Sequence, residues 1–264
     1  MLTFLSADAP PKTEPGNYPV LLLHAFPLSA AMWIPQILAL GNAGVQVIAP
    51  NAYGIDESEE RAEWDFTGYA HELAALLAAL NIEKATVVGL SMGGYQALEF
   101  YRLFPNKTAS LVLCDTRAEA DTPEARSGRE EFIQAVETLG AEEAARRMVP
   151  NYFTPETLTS RPELEAEVRE MIAQQSAQVI NAAMRAIMMR SDATARLEEI
   201  RCPVLVLCGA EDKLTTPETA KGISARIPGS QLQLLPGAGH ISNMEQAEAF
   251  NAALLKHIGE VGQS

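Results

Sequence analysis

The segment Gly89-Leu90-Ser91-Met92-Gly93-Gly94 sets a serine among glycines, after the apolar run ATVV and before the helical pattern YQALEFYRLF. A GxSxG gains a mechanism from this strand–turn–helix context. Glycines without a Cβ let the chain turn sharply, and the serine hydroxyl stands out beside the positive end of the next helix. Ser91 is therefore the candidate nucleophile for acyl transfer. A serine hydroxyl is a weak nucleophile and needs a base beside it. The chain has four histidines. His240 follows a strand-like run and the turn Pro236-Gly237-Ala238-Gly239, which places it on a loop at the carboxyl edge of a sheet, where α/β sites form. It is the best base candidate. His71 sits in a helical pattern of Ala and Leu and reads as a surface or half-buried filler. His257 lies in the last helical pattern, where a cation suits the helix end. His24 ends the first strong strand and would orient a loop rather than act as a base.

The base needs an acid to hold its tautomer and stabilise the imidazolium. Asp212, after PVLVLCGAE, stands at the carboxyl end of a strand-like run and is the first choice; Asp115, ending LVLCD, is the runner-up. Glu211 would point elsewhere if Asp212 points in. Two backbone amides should hold the developing oxyanion. Met92, next to the nucleophile, is one. The other is expected from His24-Ala25-Phe26-Pro27, where Phe26 can donate and Pro27 has no N–H.

These residues must be positioned by a sheet. Short apolar runs recur at 20–24, 45–50, 85–90, 110–115, 203–209 and 231–237, continuous rather than alternating, as strands buried on both faces of a parallel sheet read. Helical patterns fall between them, near 29–41, 66–81, 92–104, 217–227 and 244–258. The alternation predicts an α/β fold with a mostly parallel central sheet flanked by helices. Residues 7–19, rich in Ala, Asp, Pro and Gly, read as a loop.

The rhythm breaks over 116–199, which holds no convincing strand, sixteen Asp or Glu, ten Arg and no Lys. Four or five helices are expected there, broken near Gly140, Pro150–Pro155 and Pro162. The expected organisation is a core of 1–115 and 200–264 with a helical cap over 116–199. Val179, Ile180, Ala183, Met184, Ile187 and Met188 make an apolar stripe at helical spacing, and five of nine methionines lie in this stretch. The stripe reads either as packing of the cap on the core or as a pliable pocket roof. Trp33, Tyr95, Met184 and Met188 are the candidate pocket residues. Arg117 could meet a substrate carboxylate but fits better as a structural ion-pair partner.

The 264 residues carry 20 Lys or Arg against 34 Asp or Glu, a net charge of −14. Such a surface repels phosphates and disfavours nucleic acid and anionic membranes as partners. Three scattered cysteines without a CxxC pair, no signal-like start and no long uncharged apolar stretch point to a reduced cytoplasmic protein. No HExxH or other metal cluster is visible, and no cofactor is expected. The expected partner is a small molecule, and the expected state monomer or homodimer.

Together LLLHAFPLSAAMW, GLSMGGYQAL, CGAEDKLTTPE and PGAGHISNMEQAEAF resemble the α/β-hydrolase superfamily in its cap-bearing branch. The nearest flavour is similar to 3-oxoadipate enol-lactonase-like hydrolases, carboxylesterases and cofactor-free haloperoxidases. The resemblance implies Ser91 as nucleophile, Asp212 as acid, His240 as base and the Phe26 and Met92 amides as the oxyanion hole. It implies hydrolysis of a carboxylic ester or lactone; perhydrolysis on the same triad and a ligand-binding receptor on a hydrolase shell are the alternatives. Relatives with an Asp nucleophile perform other chemistry, against which Ser91 argues. Three positions depart from the family's pattern. Ala25 follows His24 in place of the usual Gly. In the loop Asn51-Ala52-Tyr53-Gly54-Ile55-Asp56-Glu57-Ser58 the second Gly is replaced by Asp56. Ala247 stands for a common Pro.

Overall fold

The computed structural model describes residues 1–7 and 18–263; most of the loop expected at 7–19 lies outside the described residues. The strands are β1 (Phe4–Ala7), β2 (Val20–Leu23), β3 (Val47–Pro50), β4 (Ala85–Leu90), β5 (Thr108–Cys114), β6 (Val204–Gly209) and β7 (Gln231–Leu235). They form one sheet in the order β1-β3-β2-β4-β5-β6-β7. Only β1 is antiparallel, paired with β3 from Phe4 opposite Pro50 to Ala7 opposite Val47. Every residue of β2 to β6 is buried, as the continuous apolar runs require of strands covered on both faces. β1 escaped the sequence reading because FLSA is a largely exposed edge strand with no buried face to mark it.

The helices are α1 (Ile34–Asn42), α2 (Phe66–Ala79), α3 (Met92–Leu103), α4 (Pro123–Leu139), α5 (Ala141–Met148), α6 (Pro155–Ser160), α7 (Pro162–Ala173), α8 (Ala177–Met189), α9 (Pro217–Arg226), α10 (Ser242–Glu245) and α11 (Ala247–Val261). α1 packs with α11, and α2 with α3, which itself lies on β2, β4 and β5. Proline opens α4, α6, α7 and α9, where its missing N–H is an orphan donor anyway. Thr122, Thr154, Ser176 and Thr216 accept from first-turn amides of α4, α6, α8 and α9.

Helices α4 to α8 all lie between β5 and β6. α4 packs on α8 and α5 on α7. The insertion docks on the core through polar contacts that are buried. The Glu245 carboxylate, 1% exposed, accepts from Thr154 N and Thr154 Oγ1, both at 2.8 Å, and from Gly239 N. Arg161 donates to the Glu245 carbonyl at 2.7 Å.

Candidate active site

β4 ends at Leu90 and α3 starts at Met92, so Ser91 alone makes the turn, with φ 55° and ψ −111°. A side chain rarely adopts that backbone, and here the neighbours hold it. Ser91 N donates to Cys114 O at 2.9 Å, and Thr116 Oγ1 donates to Ser91 O at 2.8 Å. A Cβ on Gly89 would fall on the Gly93 carbonyl, and one on Gly93 would fall on the Leu23 carbonyl. Glycine is therefore required at both by close backbone approach, not by conformation.

His240 Nε2 lies 2.9 Å from Ser91 Oγ, and His240 Nδ1 lies 2.8 Å from Asp212 Oδ2. Asp212 is fixed in turn: Oδ1 accepts from Leu214 N at 2.8 Å and Thr215 N at 3.0 Å, and Oδ2 from Thr215 Oγ1 at 2.6 Å. Burial alone would raise this carboxyl. The facing His240, with the bonds from His240 and Thr215, outweighs burial and holds it below its ordinary range. Asp115 does not face His240. It accepts from Gly209 N at 2.7 Å and from the Ser242 hydroxyl, and burial together with the nearby Asp212 charge pushes it well above the ordinary carboxylate range.

The Phe26 and Met92 amides stand at the loop after β2 and at the first position of α3. Among the described residues neither donates to an acceptor within the chain. His24 ties this loop to the next one. Its Nδ1 donates to Ala25 O at 2.9 Å and its Nε2 accepts from Ala52 N at 3.0 Å, a neutral tautomer. Complete burial pushes its pKa down to about 4. Asp56, at the place of the missing Gly, takes the left-handed region at φ 44°.

The other candidates are dispersed. Trp33 is fully buried, with its ring 5.9 Å from Phe250 of α11. Tyr95, one turn beyond Ser91, lies under the Arg190 guanidinium at 4.5 Å and lines a cavity with Phe66, Arg117 and Arg190. Met184 is buried, with Sδ 3.3 Å from Arg129 Nη1. Met188 is half-buried and lines an outer groove with Ile133, Gln134 and Arg185. Arg117 donates to the Leu214 carbonyl on the Asp212 loop, in place of the expected ion pair. His257 is buried, and burial lowers its pKa, so the cation expected at that helix end is disfavoured. His71 is exposed, its ring edge-on to Phe104.

Sequence reasoning missed Thr215, Tyr152 and Gln175. Thr215 could have been found, lying three residues beyond Asp212 in a strand-end loop. Tyr152 and Gln175 reach the site across the fold and leave no local signal. The one cluster of possible metal ligands among the described residues, Asp115, Cys208 and Asp212, is buried; both aspartates are engaged in the bonds above, and Cys208 Sγ contacts Gly209 O at 3.3 Å and Thr215 O at 3.4 Å. No described helix is long and apolar enough to cross a membrane.

Ser91 on the turn after β4, Asp212 on the loop after β6 and His240 on the loop after β7 follow one another in the chain order known for hydrolases built on an α/β sheet. The chain belongs to the alpha/beta hydrolase family, whose pattern matches residues 20–253. It is 32% identical over 183 residues to 3-oxoadipate enol-lactonase 2 of Acinetobacter baylyi, covering 69% of this chain and 67% of that one. Its fold superposes on a thermophilic esterase from Thermogutta terrifontis, solved with malate bound, with a TM-score of 0.93 and 34% identity over 99% of this chain and 94% of that one. A bromoperoxidase from Bacillus anthracis shares the fold, with a TM-score of 0.85 and 22% identity over 98% of this chain and 95% of that one.

Proposed function

We propose that this protein hydrolyses a small carboxylic ester or lactone through an acyl-enzyme on Ser91. The hydrogen-bonded relay Ser91–His240–Asp212 carries the reading. Ser91 Oγ attacks the carbonyl carbon while His240 Nε2 takes its proton. The resulting oxyanion is met by the Phe26 and Met92 amides, each worth roughly 3–4 kcal/mol in such sites. Collapse expels the alkoxide, which takes from His240 the proton that Ser91 gave up. A water then gives a proton to His240 and attacks the acyl carbon; collapse releases the acid and expels Ser91 Oγ, which takes that proton from His240. Asp212 stays ionised throughout, holding the proton of His240 on Nδ1 and stabilising the imidazolium. The esterase and enol-lactonase relatives support the substrate class. The helices of 116–199 serve as a cap that sets substrate choice. Its contacts with the loops of Phe26 and His240 support that role.

The test is hydrolysis of p-nitrophenyl esters of rising acyl length and of an enol-lactone by wild type and Ser91→Ala. Turnover of at least one series is expected, falling by several orders of magnitude in the variant because the triad acts as a unit. Undiminished turnover in Ser91→Ala would remove the proposed nucleophile.

A further inference from the structure

The Phe26 amide can stabilise an oxyanion only if its peptide plane is held still. Upstream, Ala25 O accepts from Leu28 N at 2.9 Å, and Ala25 N contacts Met32 Sδ at 3.2 Å. Downstream, the next two carbonyls are each held by a buried side chain from the helical insertion. Tyr152 Oη donates to Phe26 O at 2.5 Å, and Gln175 Nε2 donates to Pro27 O at 2.6 Å.

Tyr152 also reaches the base. Its main-chain oxygen accepts from His240 N at 2.8 Å and Ile241 N at 3.1 Å. Its ring is stacked on the His240 imidazole, centroids 5.9 Å apart and planes at 26°. One fully buried residue, 126 positions from Phe26 in the chain, therefore touches both the loop that offers the oxyanion donor and the histidine that moves the proton.

We propose that Tyr152 is a positioning residue, which keeps the Phe26 amide and the His240 ring in register, with Gln175 as a second strap on the same loop. The helical insertion then completes the oxyanion hole as well as covering it. This rests on the serine-hydrolase reading above. Tyr152 acts through Phe26 and His240, not on substrate. The basis is geometric: an oxyanion donor works only when aimed at the oxygen of the tetrahedral state, and small displacements are costly.

Tyr152→Phe keeps the ring and its stacking and removes only the donor. With a p-nitrophenyl ester, kcat is expected to fall about 10-fold with KM within about twofold, less than deleting a donor outright. Affinity for a trifluoromethyl ketone, which forms an oxyanionic hemiketal on serine, should fall in parallel. The carbonyl stretch of the acyl-enzyme should move to higher frequency as its hydrogen bonds loosen. Gln175→Met should shift all three in the same direction by less. A purely structural tyrosine would change the melting temperature and leave ketone affinity and carbonyl frequency in place. That outcome, or wild-type kinetics in Tyr152→Phe, would overturn the proposal. If Tyr152→Phe fails to fold, Gln175→Met decides on the same readouts. A fluorophosphonate label on Ser91 separates the two levels: wild type unlabelled at Ser91 sinks the hydrolase reading, whereas normal labelling with unperturbed variants sinks only the role of Tyr152.

Discussion

Asp115 gives a carboxylate oxygen to the hydroxyl of Ser242, two residues beyond His240, and so braces the His240 loop from behind instead of facing the imidazole. Its other oxygen takes the Gly209 amide at the end of the neighbouring strand. Asp212, three residues beyond the end of that same strand β6, is the carboxylate within 2.8 Å of His240 Nδ1.

The two aspartates should therefore separate by mutation. Asp212→Asn is expected to cost on the order of 10⁴-fold in kcat, by loss of the group that holds the tautomer. Asp115→Asn should stay within about 10-fold, because its side chain meets Gly209 N and Ser242 Oγ and not the imidazole of His240. Steady-state kinetics on both variants checks this, and the reverse order of severity would move the acid to β5.

His24 should make stability depend on pH. Its folded pKa of about 4 lies below the ordinary value of 6.5, so the unfolded chain binds more protons between those limits. Stability from this group is complete above about pH 6.5 and is lost as pH falls towards 4, a change of about 3 kcal/mol. His24→Gln can still accept from Ala52 N but does not titrate. The difference in urea-unfolding free energy between wild type and His24→Gln should shrink as pH is lowered from 7 to 4.5. A constant difference would show that folding does not shift the His24 pKa.

Glycines at two kinds of position should respond oppositely to alanine. Gly93→Ala drives a Cβ into the Leu23 backbone and should destabilise by about 3 kcal/mol or more. Gly128, exposed inside α4, has nothing near its missing Cβ, and Gly128→Ala should stabilise by about 0.5–1 kcal/mol. Chemical denaturation of both variants checks the pair; an equal response would contradict the close approach at the elbow.

The parallel strands were legible because buried strands read as continuous apolar runs; their order in the sheet was not. Ser91, Asp212 and His240 were legible because each follows such a run, where glycine or a short polar loop punctuates the chain. The contact of Trp33 with Phe250 was not legible, because its place after the Phe26 loop in sequence does not say which way a ring turns from the short helix Ala30–Trp33. His257 misled because its place near a helix end suits a cation, while burial decides against one. Tyr152 and Gln175 were invisible because their partners lie 126 and 148 positions away, and no local pattern encodes such contacts.

The central claim is a covalent acyl group on Ser91, and intact-protein mass spectrometry followed by peptide mapping tests it directly. Wild type mixed with a p-nitrophenyl ester and quenched in acid within milliseconds should gain one acyl mass, carried by the peptide containing Ser91. Ser91→Ala should gain none. Turnover without any acyl adduct, or an adduct on another residue, would contradict the account.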